Sequence, residues 1–104
     1  MKSQGTSKNI AIMRRKSKDV AALLKQLSHP QRLLILCSLV EGEKSVGEIE
    51  EICGASQSAV SQFLKAMRLE SLVESRREGK QIYYRIADER VNELMKSLYR
   101  IFCK

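Results

Sequence analysis

The stretch SVGEIEEICGASQSAVSQFLKAMRL, residues 45–69, decides the fold. Ser45 and Glu48 stand three apart just ahead of Ile49 and Ile52. That is the spacing of a capping box, in which the hydroxyl takes the backbone N–H three residues on and the carboxylate reaches back. Gly54 supplies a left-handed turn to close this short helix, Ala55 is small, and Ser56 can cap the next one. In that next helix Val60, Phe63, Leu64 and Met67 recur as an inward face, leaving Gln57, Ser58, Ser61, Gln62, Lys65 and Arg68 on the other side. Two helices joined by about three or four residues that include a glycine form a helix-turn-helix.

Upstream, Val20, Leu23, Leu24 and Leu27 repeat at helical spacing until the Ser28-His29-Pro30 break. Pro30 can open a second helix, where its missing N–H costs little. That helix carries Leu33, Leu34, Leu36, Cys37 and Val40 nearly all round, so it belongs at the centre of the core, and it stops at Glu41-Gly42-Glu43. Downstream, the period changes to two: Ile82, Tyr84 and Ile86 face one way, Gln81, Tyr83 and Arg85 the other. Glu78-Gly79 offers the turn of a two-stranded hairpin, which must pack on the helices to be stable. Asp88 caps a last helix with Val91, Leu94, Met95, Leu98 and Phe102 as an apolar stripe. The expected fold is mainly α with a β-hairpin wing: a winged helix-turn-helix.

A chain of 104 residues with 43% hydrophobic and 30% charged residues is one soluble domain, small enough to complete its burial by dimerising. No run of about 18 apolar residues is present to span a bilayer, and the first residues lack the apolar block of a signal peptide, so a cytoplasmic protein is expected. The net charge of +7 is concentrated in two places. Residues 1–18 hold six Lys and Arg and no Asp or Glu, and read as a basic, partly flexible arm ahead of a domain at 19–104. Residues 56–86 hold six basic against three acidic residues, and there the excess coincides with the helix-turn-helix.

On the second helix of that motif the first turns carry short hydrogen-bonding side chains and the later turns positive charge. Gln can bond adenine N6 and N7 together, Ser can donate or accept at several base edges, and Lys and Arg neutralise phosphates. The candidate DNA-binding residues are therefore Ser56, Gln57, Ser58, Ser61, Gln62 and Lys65, with Arg76, Arg77 and Lys80 near the hairpin tip placed for a phosphate run or a minor groove. An enzyme is disfavoured: His29, beside a proline at a helix start, has no obvious nucleophile to serve, and no glycine loop cradles phosphate. A purely architectural DNA-binding protein would not need the Ser/Gln face, because phosphate contacts carry no sequence information. No cofactor is implied.

Three pieces in order carry a family resemblance: residues 27–36 (LSHPQRLLIL), 56–62 (SQSAVSQ) and 76–84 (RREGKQIYY). Together they resemble the ArsR/SmtB family of bacterial repressors over residues 19–104. The resemblance implies a homodimer paired through its first and last helices, bound to a palindromic double-stranded operator until an inducer loosens it. Many of that family sense metals, but the positions matching their Cys-x-Cys are Ser45 and Gly47, and residues 87–104 contain no His. No metal site is expected, although a metal-responsive repressor of the same family remains the alternative, as does a DNA-binding protein without a thiol switch.

The cysteines are Cys37 in the second helix, Cys53 and Cys103. Free cysteines are commonly small buried hydrophobes, and Cys53, where the motif usually has Leu, reads as core filling. Cys37 and Cys103 resemble the paired thiols of the persulfide- and redox-responsive branch of the family, the BigR- and HlyU-type regulators. Carried over by position they are the redox-sensing pair, bridged by a disulfide or polysulfide when reactive sulfur species or oxidants act as inducer. Apolar neighbours Leu36 and Leu39 and the carboxylate of Glu41 should disfavour the Cys37 thiolate, whereas Arg100 and Lys104 should favour that of Cys103. Cys103 is then expected to react first and Cys37 to resolve the adduct.

Overall fold

A computed structural model describes residues 3–103; Met1, Lys2 and Lys104 lie outside them. In chain order the elements are α1 (Ser3–Leu27), α2 (Pro30–Val40), β1 (Lys44–Ser45), α3 (Val46–Cys53), α4 (Gln57–Leu69), β2 (Val73–Glu78), β3 (Gln81–Ile86) and α5 (Glu89–Phe102). No described helix is long and apolar enough to cross a membrane.

The local signals act as their chemistry requires. His29 is the N-cap of α2, its Nδ1 accepting the Gln31 N–H at 3.1 Å, with Pro30 in the first turn behind it. Both halves of the capping box form: the Glu48 N–H donates to Ser45 Oγ at 3.2 Å and the Ser45 N–H to Glu48 Oε1 at 2.8 Å. Gly54 takes φ +63° to end α3, and Ser56 Oγ accepts the Ala59 N–H at 3.2 Å to begin α4. Asp88 caps α5 through the Arg90 N–H at 2.9 Å.

Three features depart from the sequence reading. The wing is a three-stranded sheet in the order β1-β3-β2, because Lys44 and Ser45 pair with Tyr84 and Tyr83; two residues are too few to show a period. Its hairpin loop is Gly79-Lys80, one residue beyond the expected turn, since Glu78 pairs with Gln81 and Gly79 takes φ +63°. Helical periodicity is read only from Val20, whereas α1 begins at Ser3, so residues 3–18 of the basic arm are its first part. Neither proline nor glycine lies between Thr6 and Lys18, so nothing stops the helix propagating back from its packed end.

The core is built around α2, whose Ile35, Leu36 and Leu39 are buried with Ile49 of α3, Val60, Leu64 and Met67 of α4, Tyr84 of β3, and Val91 and Met95 of α5. Helix α2 touches α3, α5 and β3, and α3 in turn packs on α4. At the far end of α4 the chain reverses through Ser71 at φ +65°. The Ser71 N–H reaches the Arg68 carbonyl at 3.0 Å and the Leu72 N–H the Met67 carbonyl at 2.9 Å, a Schellman closure with serine where glycine is usual.

Next to this reversal Arg32 of α2 grips both carboxylate oxygens of Glu70 at 2.8 and 3.0 Å and donates to the Gln26 carbonyl at 2.9 Å. One guanidinium thus joins the end of α1, the start of α2 and the end of α4. Its hydrogen bonds hold the Glu70 carboxyl below the ordinary glutamate value of 4.5. Because the folded pKa is depressed, the stabilisation is complete above the unfolded value and is lost as pH falls through the folded one. Glu70→Ala should cost about 1–2 kcal/mol in urea unfolding at neutral pH, a figure kept small by the exposure of the carboxylate. Below pH 4.5 the gap between the two proteins should narrow; a gap independent of pH would contradict the assignment.

Candidate nucleic-acid interface and thiol groove

Helix α4 presents its polar side to solvent: Gln57, Ser58, Ser61, Gln62, Lys65 and Arg68 are exposed, while Val60, Leu64 and Met67 are buried and Phe63 half-buried against the His29 ring, 4.8 Å between centroids. Ser56 is exposed beside them, but its hydroxyl oxygen is already the helix cap. The first turn of this helix therefore offers free amide and hydroxyl groups at the end that a recognition helix turns towards bases.

The three wing cations are not equivalent. Arg77 and Lys80 are exposed at the tip and enter no ion pair among the described residues. Arg76 lies on the other face of β2, bonded to both oxygens of Glu43 at 2.8 and 2.7 Å and to Glu78 at 2.6 Å, with its guanidinium 4.7 Å from the Tyr83 ring centre. These carboxylates push its already high pKa up further. Arg76 braces the wing against the turn after α2, which sequence reading, seeing only a basic pair, could not separate from the role of Arg77.

Between α2 and α5 lies a cavity of about 670 Å³. Pro30, Leu33, Leu34 and Ile52 line it; Cys37 and Cys103 both border it, as do Glu41 and Tyr99. Two cysteines far apart in the chain thus come to one groove. Cys37 is half-buried with its thiol 3.8 Å from the Met95 sulfur, and Cys103, the C-cap residue of α5, is exposed. Burial pushes the Cys37 thiol up, and the neighbouring Cys103 adds to this; the second cause expected from sequence, Glu41, is not among them. Glu41 is instead turned to Lys44 at 3.5 Å and to the Tyr99 hydroxyl at 3.3 Å. Lys104, expected to support the Cys103 thiolate, lies outside the described residues, and Arg100 reaches Ser97 at 3.4 Å. Cys53 is half-buried against the core, its thiol pushed up by burial alone. Tyr99 and the groove itself were missed at the sequence level; a tyrosine one turn before Cys103 was the available sign. Among the described residues no group of three or more His, Cys, Asp or Glu could hold a metal ion.

The model of bacterial regulatory proteins of the arsR family matches residues 29–75, from the cap of α2 into β2. The biofilm growth-associated repressor of Xylella fastidiosa is 48% identical over 91 residues, covering 88% of this chain and 80% of that protein. The chain belongs to the ArsR family. The crystal structure of that Xylella repressor, BigR, superimposes on this ArsR-family chain with a TM-score of 0.83 at 47% identity, covering 90% of this chain and 96% of that one. The transcriptional activator HlyU of Vibrio cholerae is 35% identical over 101 residues, 97% of this chain and 94% of that protein. A homodimeric winged helix-turn-helix DNA-binding domain from Mycobacterium bovis matches at 37% identity and TM-score 0.70, covering 86% of this chain and 83% of that one. This ArsR-family chain is a DNA-binding transcriptional regulator, not an enzyme.

The unequal settings of the two thiols of this regulator lead to a kinetic expectation. In timed alkylation of the reduced protein with iodoacetamide near neutral pH, Cys103 should be labelled well before Cys37. Labelling of Cys37 should rise with pH through a midpoint above that of an ordinary free thiol, since burial raises it. Faster labelling of Cys37 would reverse the roles.

Proposed function

We propose that this regulator is a homodimeric repressor whose hold on a palindromic operator is switched by the thiol pair Cys37 and Cys103. The observation that carries this reading is their shared groove between α2 and α5. Helix α2 packs on α3, which packs on α4, so a bond drawn across the groove acts on the element that supports the recognition helix.

Dimerisation is supported by apolar surface left over on α1 and α5, where Leu24, Ile101 and Phe102 are exposed. The Mycobacterium bovis relative, itself homodimeric, has the same fold. A two-fold dimer reads two half-sites about 34–36 Å apart, which is why the operator is taken to be palindromic. Gln57, Ser58, Ser61 and Gln62 face the bases, Ser56 and Lys65 the flanking backbone, and Arg77 and Lys80 a phosphate run beside the wing; Arg76 reaches DNA only by leaving Glu43. In the reducing cytoplasm the thiols begin free. The Cys103 thiolate attacks the outer sulfur of a persulfide RSSH and releases the thiolate RS⁻. Cys37 then attacks the Cys103 sulfur of the resulting persulfide, closing a disulfide and expelling hydrosulfide, so that the donor supplies both oxidising equivalents.

Two measurements test this reading. For DNA recognition, Gln57→Ala or Gln62→Ala should cost about 1–3 kcal/mol at particular bases, whereas Arg77→Ala should weaken operator and random duplex alike. An unchanged ratio of operator to random affinity in both glutamine variants would move the recognition surface elsewhere. For the switch, a persulfide donor should release the unmodified protein from its operator with the mass change of one intramolecular bridge. Cys37→Ser should keep an open adduct on Cys103 and stay bound, and Cys103→Ser should hardly react. Release of DNA by both serine variants would remove the pair as sensor.

A further inference from the structure

The size and the wall chemistry of the thiol groove exceed what sulfur transfer between two cysteines requires. Its volume of about 670 Å³ lies within the range of about 300–1,000 Å³ typical of small-molecule sites. Its apolar lining on α2 is Pro30, half-buried Leu33 and Leu34, and Leu34 is 41% exposed. Among the described residues no Lys or Arg lines it, and the one charged lining group among them is the carboxylate of Glu41. A small anionic reagent would find an apolar wall and a carboxylate here, with no counter-charge among the described lining residues; a neutral reagent with an apolar body suits both.

A proton donor stands beside the exposed thiol. The Cys103 N–H bonds to the Tyr99 carbonyl at 2.9 Å, so the two residues sit one turn apart on the same side of α5, and both side chains border the groove. The Tyr99 hydroxyl donates to Glu41 only at 3.3 Å, a long bond that a better acceptor can displace. Burial, with the Glu41 carboxylate next in effect, pushes the phenol up, so it keeps its proton.

We infer that the groove is a modification site for neutral, apolar Michael acceptors (α,β-unsaturated aldehydes, ketones or imides), which add to Cys103 with their apolar body laid along Leu33 and Leu34. The Cys103 sulfur bonds to the β-carbon, the carbon–carbon π pair shifts into the bond between the α-carbon and the carbonyl carbon, and the carbonyl π pair comes to rest on the oxygen as an enolate, to which the Tyr99 hydroxyl donates a hydrogen bond. The proton that the thiol gives up ends on the α-carbon. Nothing leaves and no oxidant is needed, so this input is distinct from the redox one. The adduct forms whether or not the thiols control DNA; only its effect on the operator rests on the switch proposed above.

The test uses two maleimides that share ring and chain length, N-hexylmaleimide and 6-maleimidohexanoate, differing by the terminal carboxylate. Rates of addition at Cys103 are read by peptide mapping on the full-length reduced protein near neutral pH, and again on the protein unfolded in guanidinium. In the folded protein the hexyl probe should be about tenfold or more faster, from burial of its chain, and the preference should vanish on unfolding. Leu34→Asp, at an exposed position, should abolish it too. Tyr99→Phe should slow both probes and leave their ratio unchanged. Equal rates in the folded protein, or a preference that survives Leu34→Asp, overturns the site. Operator binding of the hexyl adduct is measured separately: release extends the switch to an open adduct on Cys103, and full adduct with DNA still held overturns this input to the operator while leaving the bridge-driven switch and the modification site standing.

Discussion

Helix α2 is apolar nearly all the way round, and the domain is arranged to cover it. A helix of that kind is stable in water only when neighbours close over every side. Helix α3, strand β3 and helix α5 do most of this, and the buried Leu27 at the end of α1 adds to it. Each of these three main neighbours is also committed elsewhere, since α3 supports α4, β3 is the middle strand of the wing, and α5 carries Tyr99 and ends at Cys103. A displacement of α2 is therefore felt at α4, at the wing and at the exposed edge of α5 together. Pro30, Leu33 and Leu34 of α2 line the groove that both thiols border.

Charge then fixes what packing leaves free. Arg32 ties α2 to the end of α4 through Glu70, and Arg76 ties β2 to the turn after α2 through Glu43. Both ends of the helix-turn-helix and wing unit are thus referred back to α2 by ion pairs of bidentate geometry, where a guanidinium constrains angle as well as distance. The cations of residues 56–86 that enter no ion pair among the described residues, Lys65, Arg68, Arg77 and Lys80, are exposed on α4 and the wing tip. The basic excess of residues 56–86 accordingly divides into bracing charge and free charge, a division that decides which side chains can meet phosphate.

Where one residue type has one dominant local use, the sequence was enough. Ser45 with Glu48, Gly54, Ser56 and Asp88 each satisfied a helix end, and the alternation of Ile82, Tyr84 and Ile86 placed β3. Long-range partnership was not legible. Lys44 and Ser45 form a strand only because β3 offers an edge. Ser71 takes a left-handed turn that its type does not advertise, since the hydrogen bonds closing α4 hold it there. The pairing of Arg76 with Glu43, and the face that Glu41 gives to Lys44 and Tyr99, depend on segments brought together by folding. Likewise the matching positions of Cys37 and Cys103 could be read by resemblance, but not their common groove, nor that Cys103 is itself part of what raises the Cys37 thiol.

The two cysteines also sit far apart along the chain, with α3, α4, the wing and all of α5 between them. A covalent link from Cys37 to Cys103 would gather that whole length into one closed loop and remove much of the disorder available to the unfolded chain. For a loop of this size the loss amounts to about 4 kcal/mol in favour of the folded state, if the native geometry accepts the bond without strain. Such a protein would visit its unfolded forms far less often and offer proteases correspondingly fewer openings. Under the proposed switch, the released, oxidised regulator would then outlive the reduced one on DNA, and the length of a response would be set by how fast the bridge is reduced rather than by turnover of the protein.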